Sequence, residues 1–399
     1  MLTDRLNISQ GGVAVNPKHQ EPAARFAPIS LFLCGDVMTG RGVDQILPHP
    51  CKPNLYEPYV RSALDYVQLA ENVTGALKRP VDFAYIWGEA LAELDRVRPD
   101  ARIVNLETAV TVSEDAWPGK GIQYRMNPAN VACLTAAKID CCSLANNHVL
   151  DWGRSGLAET LDTLHRAGLC TAGAGRNQEE AAAPAIIPVP GKGRVLVFAC
   201  ATSDSGVLSG WAAGKERSGV NVLESLSSHA VDAIAGRLRD VKQAGDIAVL
   251  SIHWGGNWGF DISPDERRFA HQLIDVAGID VVHGHSSHHI KGTEIYQGKP
   301  IMYGCGDFLT DYEGIGGHEF YRPDLSLMYL PVMDATTGRL LRFTLIPTQL
   351  RHFRIQRAPP EAVSWLLATL NREGRKLGSH VEHLAGPEFR LRGTSEPEA

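Results

Sequence analysis

The run Ile247-Ala248-Val249-Leu250-Ser251-Ile252-His253-Trp254, the amphipathic stretch from Pro264 to Val276, and the run Asp280-Val281-Val282-His283-Gly284-His285-Ser286-Ser287-His288-His289 follow one another and decide the reading of the chain. The first run is apolar with little polar alternation, which suits a strand covered on both faces. The second spaces its apolar residues as a helix does, and Ser263, Pro264 and Glu266 at its start resemble a capped first turn. The third returns to an apolar strand and ends in histidines. Strand, helix and strand, with polar residues where each strand stops, is the unit of an α/β protein whose ligands bind at the carboxyl ends of its strands.

The same alternation extends outward in both directions. Further strands are expected at Ile29 to Gly35, Arg102 to Leu106, Cys141 to Ala145, Val195 to Ala199, Pro300 to Gly304, Leu327 to Met333 and Arg342 to Pro347. Helices are expected at Val60 to Leu77, Gly88 to Val97, Pro128 to Ala137, Gly156 to Ala167, His229 to Lys242 and Pro359 to Arg375, with Asn127 before Pro128 as a second start signal. No repeat of fixed period and no sharp linker divides the centre. The expectation is a flexible N-terminal arm over residues 1–24, one domain over 25–385 and a flexible C-terminal tail over 386–399. The wide loop from Ala109 to Asn127 is expected to be an active-site or edge feature.

Bulk properties narrow the partners. Hydrophobic residues at 44% and charged residues at 21% are those of an ordinary globular protein. A net charge of -6 offers no general attraction to phosphate backbones or anionic lipid, so nucleic acid and membrane surfaces are excluded as expected partners. An anionic substrate would need a local positive centre, which metal ions supply. The eight cysteines include no CxxC pair and fall largely in apolar runs, so they read as small buried residues with free thiols, suited to a reducing compartment. The polar start from Met1 to Gln20 lacks the apolar core of a secretory signal, and no window approaches the length of a membrane span. A cytoplasmic protein is expected.

Five strand ends carry chemistry: Gly35-Asp36, Asn105-Leu106-Glu107, Asn146-Asn147-His148, His253-Trp254 and His283 to His289. One such residue alone has an ordinary explanation as a cap, a turn residue or a core histidine. Their recurrence at successive strand ends is what a pair of hard to borderline cations such as Mn, Zn or Fe requires, and the absence of cysteine argues against a thiolate zinc site. Two ions about 3.5–4 Å apart need a bridging carboxylate and can activate a water for attack. Asp36 or Glu107 suits the bridge, His253, His285 and His288 suit imidazole ligation, and Asn147 can offer a carbonyl oxygen. His148, the next residue, points differently and is assigned to general acid or electrostatic assistance. Arg41, five residues after Asp36, is a candidate for binding a substrate carboxylate or phosphate, with a structural ion pair as the alternative. Lys120 and Arg125 read as solvated charge, Trp211, Trp254 and Trp258 as packing or pocket wall, Asp307 as a group that orients a histidine, and His289 as pointing away.

The runs Gly35-Asp36-Val37-Met38, Asn105-Leu106-Glu107, Ala145-Asn146-Asn147-His148, Ile252-His253-Trp254-Gly255 and His288, followed by Gly298-Lys299-Pro300-Ile301 and Gly306-Asp307-Phe308, resemble the CapA family of capsule or poly-γ-glutamate biosynthesis proteins. The resemblance covers about Ser30 to Leu309. That family is similar in fold to the calcineurin-like metallophosphatases, which implies a sandwich of two mixed β-sheets flanked by helices. The chain departs from the pattern in places. Met38 stands where a metallophosphatase has the histidine of Asp-x-His, Glu107 stands for the usual bridging aspartate, and Gly284-His285-Ser286-Ser287-His288 replaces Gly-x-His-Pro-His. His288 aligns with the last histidine, and His285 is preferred over His283 for the other position.

The resulting expectation is a metal-dependent hydrolase with two divalent ions, cleaving an amide, ester or phosphoester in a small-molecule or polymer substrate of anionic character. The resemblance tilts the substrate towards a γ-glutamyl or other carboxylate-rich amide. The competing reading is a non-catalytic factor that keeps the fold and binds capsule polymer in the crevice.

Overall fold

A computed structural model describes residues 26–393; the arm expected over residues 1–24 lies outside the described residues. Two mixed sheets pack against each other, one of eleven strands and one of seven, with helices on their outer faces. This is a metallophosphatase-like α/β sandwich.

The smaller sheet is built around the opening stretch. Ile247–His253 pairs in parallel with Gly193–Thr202 on one side and with Val281–His285 on the other, and Lys299–Met302 follows, also parallel. Side chains alternate across such a sheet. Val195, Val197, Ile247, Val249 and Val281 enter the core between the sheets, while Leu196, Phe198, Ala248, Leu250 and Val282 pack under the helices Ser228–Val241 and Pro264–Asp275. Both faces are therefore apolar, which is why the sequence shows no alternation. Each fully buried Leu, Ile or Val contributes roughly 1.5–3 kcal/mol. By the same alternation Ser251, His253, His283 and His285 share the inter-sheet face with Val249 and Val281.

The larger sheet presents its own strand ends to them. Asp307–Leu309, Asp36–Val37, Ala101–Leu106 and Cys141–Ser143 run parallel in one half of it. Its other half is antiparallel, from Leu325–Met333 and Leu340–Arg351 to Phe389–Gly393 and Ser379–His383. Close backbone approach sets one critical pairing: a Cβ on Gly35 would stand 1.8 Å from the Gly306 carbonyl oxygen, and Asp36 N donates to that oxygen at 2.8 Å. Only glycine lets the Asp36 and Asp307 strand ends meet.

Both helix start signals are present. Ser263 and Glu266 form a capping box, and the Asn127 side chain accepts from the amide of Ala129. The helix expected over Pro128 to Ala137 is divided into a 3-10 turn, Pro128–Asn130, and a short α-helix, Ala132–Ala136. The tail expected from 386 is corrected by the strand Phe389–Gly393, in which buried Phe389 and Leu391 alternate with Arg390 and Arg392. Its apolar and charged residues alternate with a period of two, the pattern of a half-buried strand. All eight cysteines are free, and all but Cys170 are buried. Among the described residues no helix is long and apolar enough to cross a membrane.

Candidate metal centre

Sheet register assembles the carboxylates. Asp36 is paired with Asn105 on one side and Asp307 on the other. Asn105 Nδ2 donates to Asp36 Oδ1 at 2.8 Å and to Glu107 Oε2 at 3.1 Å, holding two acids with one amide. Asn146 Nδ2 then donates to Asn105 Oδ1, and Asn146 Oδ1 accepts from the amides of His148 and Val149. Asn146 thus fixes the turn from which Asn147 and His148 project. The Asn147 Oδ1 atom is buried without a partner.

The histidines come from the facing sheet. His253 and His285 are register partners, and their Nδ1 atoms lie 2.8 Å apart. The second ring nitrogen of His285 is 2.7 Å from Ser251 Oγ, so both of its nitrogens are engaged within the protein. His253 Nε2 is buried, unpartnered and 4.0 Å from Glu107 Oε1. His288 Nδ1 is 3.0 Å from Asp307 Oδ1, while Asp307 Oδ2 has no partner. Two groups, Asp36 with His253 and His285, and Asp36 with His288 and Asp307, each bring one ligand atom per residue within 4.8 Å of the others.

Charge at this centre is poorly compensated by the protein itself. Burial, and then the Asp307 charge, push the Asp36 carboxyl from 3.8 up to about 7. Burial and the neighbouring Asp36 also drive Glu107 well above the usual carboxylate range. Burial holds His253 and His285 well below the usual imidazole value, so both are neutral and available as lone-pair donors. Burial opposes protonation of His288 too, but the Asp307 carboxylate outweighs it and raises that pKa.

Most expected residues converge here: Asp36, Glu107, His148, His253, His285 and His288, with Asn147 beside His148. His148 Nδ1 is 2.7 Å from Asp151 Oδ2 and its Nε2 is 3.9 Å from Glu107 Oε1. Burial lowers the His148 pKa to about 4, with the Asp151 charge opposing the shift and Lys120 adding to it. Of the two alternatives, His283 lies deeper between the sheets with its Nε2 2.7 Å from the Cys34 carbonyl oxygen, whereas His285 stands beside His253. His289 turns away into a stack with Trp258 and Tyr321.

Arg41 does not reach a substrate. Its guanidinium grips Asp311 through Nε and Nη2 at 2.8 and 2.7 Å, meets Glu57 through Nη1 at 3.1 Å, and lies over the Tyr66 and Tyr124 rings. A side chain 1% exposed with those contacts is spent on structure. The solvated reading of the loop cations also fails. Arg125 binds the carbonyls of Ser113 and Lys52 above Trp152. Lys120 Nζ inserts between the Asn147 carbonyl at 2.5 Å and Asp151 Oδ1 at 3.1 Å. Trp254 is a core residue bonded to the Tyr303 carbonyl, whereas Trp258 stacks on His318 and stands 5.4 Å from His288, walling the centre. Sequence reasoning missed Asp151, Ser251 and the placement of Lys120. The signals were Asp151 three residues beyond His148 across a turn, and Ser251 two residues before His253 on one strand face.

Fold and cluster together define a metallophosphatase-like protein with histidines and carboxylates gathered at parallel strand ends. The family model for the bacterial capsule synthesis protein PGA_cap matches residues 30–312, and the chain belongs to that family. A probable polyglutamine synthesis accessory protein of Mycobacterium tuberculosis is 47% identical over 354 residues, covering 88% of this chain and 93% of that protein. The PGA biosynthesis protein CapA of Bacillus subtilis is 25% identical over 286 residues, 71% of this chain and 63% of that protein. The capsule biosynthesis protein CapA of Bacillus anthracis is 26% identical over 302 residues, 75% and 63% respectively.

Proposed function

We propose that the chain is a metal-dependent hydrolase serving polyglutamate or capsule synthesis, with a γ-glutamyl or similarly carboxylate-rich amide as substrate. The observation that carries the reading is a pair of buried atoms without partners, His253 Nε2 and Asp307 Oδ2, in residues that approach the carboxylates of Glu107 and Asp36, with a third such atom, Asn147 Oδ1, on the residue next to His148. Buried polar atoms are normally satisfied, and orphaned ones call for an explanation. Divalent cations satisfy all three at once and offset the buried negative charge. Glu107 and Asn147 with His253 Nε2 would hold one ion; Asp36 and His288 would contribute to a second. Bound ions would supply Lewis-acid polarisation and lower the pKa of a water.

The protein's own groups do the rest. In this reading His285 is the partner that orients His253: an imidazole ligand normally donates its other N–H, and the chain His253 Nδ1, His285, Ser251 Oγ provides the acceptors. Asp151 holds the Nδ1–H of His148, leaving Nε2 as a lone pair facing the centre. His148 therefore takes a proton from the attacking water through Nε2 and gives it to the leaving group afterwards. Lys120 places a positive charge beside that pair, suited to an anionic substrate.

The test is elemental analysis of protein purified without chelators, then turnover of γ-glutamyl anilide and aryl phosphate panels with and without Mn. One to two metal equivalents with metal-dependent cleavage of the γ-glutamyl series is the expected result. Protein that stays metal-free after incubation with Mn, Zn or Fe would defeat the reading. The mycobacterial relative's description as an accessory protein favours the second reading, a polymer-binding factor. That reading predicts polyglutamate binding with no cleavage in either panel.

A further inference from the structure

We propose that Asp307 is itself a metal ligand, completing with Asp36 and His288 an oxygen-rich site for one divalent cation that Met38 cannot serve. The inference rests on the metal-centre reading above and assigns Asp307 a role beyond orienting a histidine.

Three observations carry it. First, Asp307 and Asp36 are register partners on adjacent parallel strands, and the pairing shifts immediately afterwards, between Asp307 and Leu309. A register irregularity of this kind re-aims a side chain. Second, the orienting role accounts for only half of the carboxylate. Oδ1 meets His288 Nδ1 at 3.0 Å, whereas Oδ2 is buried with no partner on a residue 2% exposed. Leaving such an oxygen unsatisfied is costly, and a cation removes the cost. Third, Met38, two residues beyond Asp36, is fully buried, and its thioether is a poor partner for Mn or Mg. Asp36, Asp307 and His288 already bring their ligand atoms within 4.8 Å of one another without it. Two carboxylates and one imidazole favour Mn or Fe over softer ions.

The assignment is tested on the full chain by Mn titration calorimetry of the parent and of Asp307→Asn. The asparagine keeps the size of the side chain, and its amide oxygen can still accept from His288. A purely orienting Asp307 would therefore be largely replaced, whereas a ligand would not. The expected result is a fall from two Mn equivalents to one, with the melting temperature of the metal-free variant at or above that of the parent because a buried charge has gone. Two equivalents, each with affinity within tenfold of the parent, would overturn the proposal and leave the metal-centre reading standing. No Mn binding by the parent would overturn the proposal, and failure to bind Zn and Fe as well would overturn the metal-centre reading with it. Anomalous diffraction from parent crystals soaked in Mn needs no variant to fold: a peak about 2.2 Å from an Asp307 oxygen supports ligation. A peak held by Asp36 and His288 but out of reach of Asp307 refutes it.

Discussion

Replacing His148 by alanine separates the chemistry of the centre from its architecture. The imidazole stands between Asp151, 2.7 Å from its Nδ1, and Glu107, 3.9 Å from its Nε2. Its loss removes one hydrogen bond to a charged group, worth about 1.5–3 kcal/mol. Asp151 is not orphaned, because Oδ2 still accepts from the Tyr124 amide at 2.7 Å and Oδ1 remains 3.1 Å from Lys120. The variant should therefore fold, with a melting temperature lower by a few degrees. With its pKa held down at about 4, His148 is almost wholly neutral at pH 7, and Asp151 keeps its single proton on Nδ1. Proton transfer through Nε2 is then worth roughly 10²–10⁴ in rate. His148→Ala should lose turnover of γ-glutamyl anilide by that factor while its Mn content, measured by mass spectrometry on the same sample, matches the parent. Asp151→Asn should lose part of the same factor, also without losing metal. A folded His148→Ala depleted of metal would place His148 among the ligands. Parental turnover with a lower melting temperature would reduce it to a turn residue.

Glu107→Ala and His253→Ala should lose metal and turnover together, since each deletes an atom facing the centre; either variant with full metal content contradicts its place. Metal affinity should rise with pH through about 7, because the Asp36 carboxyl, raised to about 7, and Glu107, also raised, hold protons that a cation must displace. Calorimetry at pH 6.5 in buffers of different ionisation enthalpy should reveal proton release on Mn binding, and its absence would show the carboxylates already ionised. His283 titrates at about 4 in the fold against 6.5 as its ordinary value. The unfolded chain thus binds the extra proton first, and stability that is complete above 6.5 is lost as pH falls towards 4, by up to ~3 kcal/mol. The stability advantage of the parent over His283→Gln should shrink across that window in urea titrations; a constant difference would refute the depressed pKa.

Much of the fold was legible because its central strands are apolar on both faces and stop at polar residues. Ile247 to His253 reads as a buried strand from composition alone, and the capping residues Ser263 and Glu266 date the start of the helix that follows. Elements that draw their order from neighbours were not legible. Phe389–Gly393 is a strand because Leu340–Arg351 and Ser379–His383 offer it edges, and the Gly, Pro and charged residues around so short an alternation make it look like a tail. The helix expected at Pro128 to Ala137 is broken into a 3-10 turn and a single α-turn segment for no reason visible in its residues.

The site divides along the same physical line. Strand ends were readable, since an acid, amide or imidazole that closes an apolar run announces itself, and six of these residues lie together between the two sheets. What each one does depends on which atom faces which, and that is decided by register between two sheets. His253 and His285 look equivalent along the chain, yet pairing across the strands turns both nitrogens of His285 inward and leaves Nε2 of His253 free. Arg41 looks available from its spacing to Asp36, but Asp311, 270 residues away, claims it. Lys120 makes the opposite passage: a loop closed by the pairing of Ala109–Val110 with Arg125–Met126 carries it from apparent solvent into contact with Asn147 and Asp151. Residue type at a strand end therefore locates the centre, and long-range pairing distributes the roles within it. That is why the conservative variants Asp307→Asn and Asp151→Asn, which keep shape while removing the charge and turning one accepting oxygen into a donor, are the substitutions that discriminate between those roles.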